Sequence, residues 1–420
     1  MLLTTPVHAQ FGPVNDIDKT YATSLPQAGT DAPMFKMTTL NGKTFKLSSL
    51  KGKVVVLDFW ASWCPDCRHD MPDMKRIYER FKDQAAFVGV SFDTDKAAWE
   101  KAVNKYGIGY TQVSELKKMR QAAISKTYGV NWIPSYVVIG PDGKVLLATV
   151  LTWKLERKLM ELFPAPKAES TTTAVTIEGS KGKLAALIVK PTAKEGQKMD
   201  LTIIMHGFTG NKNALFLQDI SQELTKAGIA SVRFDFNGHG QSEGLFEDMT
   251  VPNEIADAKA VFHYVRALPW VRNIYLVGHS QGGVVASMIA GELGTDSIQD
   301  VVLLAPAAVL RDDAIRGNTM GMSFDPLDPP AKVKMSNGLY LGGNYIRTAF
   351  SLPIYETAAN YQGPAMMIHG NADHIVPYTY SERYHDIWPK SKLCILEHFD
   401  HGFTQNEQRV AEMVAEYLAH

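Results

Sequence analysis

The chain has 420 residues, enough for two or three domains at roughly 150 residues each. Apolar residues at 45%, charged residues at 21%, and Gly 32 with Pro 21 match ordinary globular usage and exclude a dominant disordered or collagen-like share. Lys+Arg 43 against Asp+Glu 44 leaves a net charge of −1, without the basic excess that nucleic acid or anionic membranes favour, and no apolar run approaches the roughly 18 residues of a membrane span.

Three cysteines are too few for a disulfide framework or a four-thiolate zinc site. Cys64 and Cys67 form a C-x-x-C, and Cys394 stands alone. In the N-terminal segment, residues 1–27, Val7-His8-Ala9-Gln10 reads as the tail of a secretory signal cleaved after Ala9. The apolar core of such a signal is almost absent, so an ordinary N-terminus stays open as the alternative. A periplasmic or secreted location is the expectation.

Strand-like and helix-like segments alternate along the whole chain, which argues for α/β architecture. Val54–Trp60 is an apolar, β-branched run of the kind found in buried parallel strands. It leads into Ala61-Ser62-Trp63-Cys64-Pro65-Asp66-Cys67-Arg68, where Pro65 suits the first turn of a helix continuing to about Phe81. Cys64 then sits at a helix N-terminus, where the dipole and free N–H groups stabilise a thiolate. Cys67, three residues on, lies on the same face and can resolve a mixed disulfide. Half a zinc site is the other reading of C-x-x-C, but no second Cys/His pair with ligand spacing follows. Asp66 disfavours a neighbouring thiolate and Arg68 partly offsets this, which inclines the dithiol towards a reductase.

The stretch Trp60–Cys67 resembles the thioredoxin-fold thiol–disulfide oxidoreductases of the periplasmic, cytochrome-maturation type, a likeness covering about residues 30–163. The family places a cis-proline opposite the dithiol. Pro134, ahead of the strand Ser135–Ile139, matches that position, with a simple strand-start proline as the alternative. Pro141-Asp142-Gly143-Lys144 is the hairpin turn that follows. Cys394 is the one other cysteine and lies in a strand-like run, so the dithiol is expected to serve an external thiol or disulfide protein.

After a helix-like Trp153–Leu162, residues 164–173 combine two prolines with small polar residues and read as an exposed linker. Domain one is expected over 28–163 and domain two over 174–420. In the second, the strand Leu201–Met205 ends in His206-Gly207-Phe208, and the turn Phe234–Ser242 carries His239, taken as structural.

Asn273–Val277 is a buried strand running into Gly278-His279-Ser280-Gln281-Gly282-Gly283 and then the small-residue helix Val284–Leu293. G-x-S-x-G between strand and helix is a nucleophile elbow, whose serine needs a base. Partners follow in the order Ser, Asp, His. Asp373 lies in a loop after the strand around Met366–His369, and His401 lies in a loop after the strand Lys392–Leu396. His401 would take the Ser280 proton and Asp373 would orient the imidazole. The N–H groups of Phe208 and Gln281 would form the oxyanion hole. His279 and His369 read as packing residues, Asp400 as a cap for the final helix, His374 as an exposed loop residue, and Cys394 as an inert thiol buried in an apolar strand.

These residues resemble the α/β-hydrolase superfamily and, within it, the cinnamoyl (feruloyl) esterases, over most of 180–420. The stretches that carry the likeness are His206–Lys212, Gly278–Ala286 and Leu304–Ala308. Residues 306–363, about 58 in all, exceed a normal strand connection and suggest a lid. In that family the insertion holds the phenolic ring through an Asp and a Tyr. Asp313 and Tyr345 match those positions, with neighbouring Asp312 competing for the first. Met320 stands where relatives carry a polar residue, which leaves the ring preference open.

The expectation is therefore an α/β protein: a thioredoxin-like fold joined to an α/β-hydrolase fold with an inserted lid. Its hydrolase half would cleave small-molecule or polysaccharide-linked hydroxycinnamate esters, with no cofactor and no metal. A general short-chain acyl esterase or peptidase is one alternative. A redox protein whose hydrolase half only binds is the other.

Overall fold

The structure is a computed structural model and describes residues 17–164, 166, 168–192 and 196–419. The signal-like stretch ending at Ala9 lies outside the described residues. The chain divides into two compact units, Asn15–Ala165 and Pro166–His420.

The first unit is built on a seven-stranded mixed sheet. Its strands are β1 (Lys36–Thr39), β2 (Thr44–Lys46), β3 (Val54–Trp60), β4 (Ala85–Ser91), β5 (Thr111–Ser114), β6 (Ser135–Ile139) and β7 (Val145–Thr149), in the order β2-β1-β5-β4-β3-β6-β7. β3 runs parallel to β4 and antiparallel to β6. Every residue of β3 is buried, because helices cover both faces of the sheet at this point. The helix Pro65–Phe81 starts at the end of β3 and buries Cys67, Met71, Met74, Ile77 and Phe81 along one stripe.

The second unit has an eight-stranded sheet of β8 (Ser170–Gly179), β9 (Gly182–Pro191), β10 (Met199–Met205), β11 (Ala230–Phe234), β12 (Val271–His279), β13 (Asp300–Leu304), β18 (Ala365–Gly370) and β19 (Ser391–Leu396). Between β13 and β18 lie two small hairpins, β14 (Asn318–Thr319) with β15 (Met322–Ser323) and β16 (Lys332–Lys334) with β17 (Tyr340–Gly342). The order in the large sheet is β19-β18-β13-β12-β10-β11-β9-β8. The strands from β11 to β19 are mutually parallel, so their C-terminal ends share one edge. That edge is where open α/β sheets gather their chemistry.

Three placements differ from the sequence reading. β8 begins at Ser170, inside the expected linker, because its threonines pair in register with β9 from Ser170↔Pro191 onward. The helix Ile354–Ala358, inside the expected lid, serves as the crossover between parallel β13 and β18. It lies so close to the helix Gln281–Leu293 that a Cβ on Gly291 would meet the Thr357 carbonyl. Cys394 is only half-buried, since β19 is an edge strand with one side unpaired.

Candidate active sites

In the first unit, Cys64 caps the helix Pro65–Phe81, with Pro65 at its first position. The Cys67 N–H points at Cys64 Sγ from 3.0 Å, one of the orphan donors at a helix start. A negative charge on Cys64 would be stabilised there. The two sulfurs are joined as a disulfide. The Ile133–Pro134 peptide is cis, and the Ile133 carbonyl oxygen lies 3.5 Å from Cys64 Sγ. Trp63, next to the pair, is 54% exposed.

The approach to the dithiol is pinned from below. Ser62 donates its backbone N–H at 3.0 Å and its hydroxyl at 2.5 Å to Asp93, and the Trp60 indole donates to Gln112 at 2.9 Å. Beneath lies a buried group that the sequence reading did not single out. Asp58, within β3, accepts from the Tyr110 hydroxyl at 2.6 Å. Burial pushes its carboxyl up to about 7; the Tyr110 bond opposes the rise and Asp70 adds to it. Asp70, one turn past Cys67, accepts from the Tyr136 hydroxyl at 2.9 Å. Tyr136 is the register partner of Asp58. The available signal was a carboxylate in a strand buried on both faces.

In the second unit, β12 ends at Ser280, which has φ 56 and ψ −121. Such a backbone costs about 1–3 kcal/mol and is held by close packing around it. A Cβ on Gly278 would meet the Gly282 carbonyl at 2.2 Å, and one on Gly282 would meet the Met205 carbonyl at 2.5 Å. Only glycine fits either position.

Ser280 Oγ is 2.8 Å from His401 Nε2, and His401 Nδ1 is 2.7 Å from Asp373 Oδ2. All three side chains are buried. Asp373 Oδ1 accepts the N–H groups of Ile375 and Val376, both at 2.8 Å. Burial alone would raise the Asp373 carboxyl, but the bonds from His369 and His401 outweigh it and hold it well below the usual carboxylate range. An ionised Asp373 requires the proton on His401 Nδ1, which leaves Nε2 to accept from Ser280.

Two histidines read as packing residues have defined partners. His279 Nε2 donates to the His401 carbonyl at 2.9 Å, and burial lowers its pKa to about 4, so it stays neutral. His369 Nε2 faces Asp373 Oδ2 at 3.0 Å and the Val376 carbonyl at 2.9 Å. Both partners are acceptors, so Nε2 carries the hydrogen, and the Ser381 hydroxyl donates to Nδ1 at 2.7 Å. Asp400 does not cap the last helix. Asn406 does, while Asp400 closes the His401 turn by accepting the Thr404 N–H at 2.9 Å, because it lies six residues ahead of the cap position.

The exit of β10 lies against the elbow, where a Cβ on Gly207 would come within 2.8 Å of Ser280 Cβ. Gln281 is the first residue of its helix, so its N–H has no intrahelical acceptor. The loop carrying Phe208 is tied down by a buried pair, Lys212 Nζ to Asp235 Oδ2 at 2.6 Å. His239 packs between the rings of His206 and Phe246. In the insertion, Asp312 is occupied by the Tyr380 hydroxyl at 2.6 Å. Asp313 is half-buried; burial pushes it up to about 6, with Arg316 pulling down and Asp312 pushing up. Tyr345 is buried with its hydroxyl on Gln281 Oε1 at 2.7 Å, and Gln281 Nε2 donates to buried Glu254 at 2.8 Å. Met320 is 54% exposed.

Among the described residues no group of three His, Cys, Asp or Glu side chains could hold a metal ion, and no helix is long and apolar enough to cross a membrane.

Residues 28–148 match the AhpC/TSA family, and residues 196–325 match the family described as serine aminopeptidase, S33. The thiol-disulfide oxidoreductase ResA of Bacillus thuringiensis (strain Al Hakam) is 36% identical over 122 residues, covering 29% of this chain and 68% of that protein. ResA of Bacillus subtilis (strain 168) is 35% identical over 119 residues, 28% of this chain and 64% of that protein. Est1E from Butyrivibrio proteoclasticus, solved with ferulic acid bound, is 32% identical with a TM-score of 0.56, covering 58% of this chain and 98% of that one.

Proposed function

This chain belongs to the thiol–disulfide oxidoreductases through its thioredoxin-like unit and to the α/β hydrolases through its second unit, and on that footing we propose a serine carboxylesterase acting on hydroxycinnamate esters. The observation that carries this reading is the hydrogen-bonded series Ser280–His401–Asp373 at the end of β12, in a unit alike to a protein solved with ferulic acid.

His401 Nε2 takes the Ser280 proton as Oγ attacks the ester carbonyl carbon. The N–H groups of Phe208 and Gln281 receive the oxyanion. Collapse breaks the bond to the alcohol, which leaves with the proton from His401, and an acyl-Ser280 ester remains. Water then attacks that ester, again giving its proton to His401, and the acid leaves with Ser280 restored. Asp373 stays ionised throughout and stabilises the imidazolium. Asp313 accepts the phenolic hydroxyl of the acyl group, since Asp312 is already held by Tyr380.

The S33 match supports a second reading, a peptidase. A kinetic panel separates the two: methyl ferulate, methyl caffeate and methyl coumarate against aliphatic esters and an aminoacyl nitroanilide. Preference for the three phenolic esters supports the first reading, and preference for the nitroanilide the second.

For the first unit we propose reduction of a disulfide in an external protein. Cys64 thiolate attacks one partner sulfur and expels the other as a thiolate. Cys67 then attacks Cys64 Sγ, releases the second partner thiolate and closes the Cys64–Cys67 bond. The dithiol loses two electrons and the partner gains them. Pro134 closes the cis peptide whose Ile133 carbonyl faces Cys64 Sγ, and a periplasmic or secreted location suits such an exchange.

A further inference from the structure

The Gln281 side chain is held from two sides. Its Oε1 accepts from the Tyr345 hydroxyl at 2.7 Å, and its Nε2 donates to Glu254 Oε2 at 2.8 Å and faces Met249 Sδ at 3.6 Å. Tyr345 and Glu254 are both about 2% exposed, so water does not compete for either bond. The three residues come from three helices: Val251–Arg266, Gln281–Leu293 and, in the insertion, Gly343–Phe350. Tyr345 also packs its ring against Phe208, with centroids 5.7 Å apart. One tyrosine thus touches both residues whose N–H groups would form the oxyanion hole.

We infer that Tyr345 and Glu254 are positioning residues of the oxyanion hole, which through the Gln281 side chain fix the N–H presented to the tetrahedral intermediate. This inference rests on the esterase reading and goes beyond it, because it gives Tyr345 a task that does not depend on the substrate ring. Burial pushes Glu254 up to about 8, so a largely neutral carboxyl accepts the Gln281 bond at neutral pH. A carboxamide at that position can accept the same bond, whereas an aliphatic side chain cannot.

The test uses the full chain and p-nitrophenyl butyrate, an ester without a phenolic acyl group. Tyr345→Phe and Glu254→Leu should each lower kcat by about 10- to 100-fold, as a donor shifted by a fraction of an ångström to about 1 Å does. KM should stay within about twofold, the mark of an interaction felt only in the transition state. Glu254→Gln should restore kcat to within about threefold of wild type. Tyr361→Phe, which removes a buried hydroxyl bonded to the Pro364 carbonyl, is the folding control and should change neither constant. Unchanged kcat for p-nitrophenyl butyrate in Tyr345→Phe would overturn the inference while leaving the esterase reading intact. A wild-type chain that hydrolyses no ester would instead remove the esterase reading itself.

Discussion

His369 Nε2 lies 3.0 Å from Asp373 Oδ2, the same oxygen that faces His401 Nδ1 at 2.7 Å. The acid is therefore held by two imidazoles and two backbone N–H groups. His369→Leu should weaken activity, because losing one hydrogen bond to a charged group costs about 1.5–3 kcal/mol. The depressed Asp373 carboxyl contributes stability above its unfolded pKa of about 3.8, and that contribution is lost as pH falls. His369→Leu should accordingly shift acid unfolding to higher pH, and His369→Gln, which keeps a donor, should shift it less. Acid titration of the two variants followed by circular dichroism checks the order.

Asp58 carries the opposite sign. Its folded pKa of about 7 stands above the unfolded value of 3.8, so ionisation is penalised in the fold. The contribution to stability is fully present below about pH 4 and is lost as pH rises through about 7. Asp58→Asn should stabilise the first unit at pH 8 by up to about 4 kcal/mol, at 1.36 kcal/mol per pKa unit, and not at pH 4. Amide hydrogen exchange of β3 and β4 at the two pH values measures it.

The phenolic acyl group should be read by Asp313. Asp313→Ala should lower kcat/KM for methyl ferulate by about 1–3 kcal/mol more than for p-nitrophenyl butyrate, as a buried phenol loses its acceptor. With Asp313 pushed up to about 6, the preference for methyl ferulate should also fade as pH drops through that value. Paired pH profiles for the two esters in wild type and variant show whether it does.

Much of the candidate site is legible in the sequence because it sits where strands end. β3 into Cys64, β12 into Ser280 and β18 towards Asp373 are apolar runs closed by turn residues, and local pattern suffices to place them. The contacts that join distant helices are not legible, even where a member such as Gln281 or Tyr345 stands out on its own. Glu254, Gln281 and Tyr345 meet only through helix packing, and Tyr136 reaches Asp70 only through the register of β6 on β3. His369 reads as a packing residue in the sequence because a histidine beside a turn glycine gives no hint of the carboxylate four residues later in its own loop. Cys394 reads as buried in the sequence because apolar composition does not tell an edge strand from a central one.

Esterase activity should not depend on the state of the dithiol. The second unit contains one cysteine, Cys394, and so has no internal disulfide for Cys64 and Cys67 to exchange with. Turnover in dithiothreitol and after mild oxidation should agree in wild type and in the Cys64→Ser/Cys67→Ser variant. A large redox dependence that vanishes in the double variant would make the first unit a regulator of the second.

On the esterase reading, Ser280, activated by His401, forms an acyl-enzyme with a hydroxycinnamoyl group. The most direct test of this reading is release of ferulate from methyl ferulate by wild type and by Ser280→Ala under the same conditions. Wild type should turn the ester over, and Ser280→Ala should keep only the roughly 10³–10⁴-fold acceleration over water that binding and the oxyanion hole supply. Ferulate release by Ser280→Ala at the wild-type rate, or by neither protein, would contradict it.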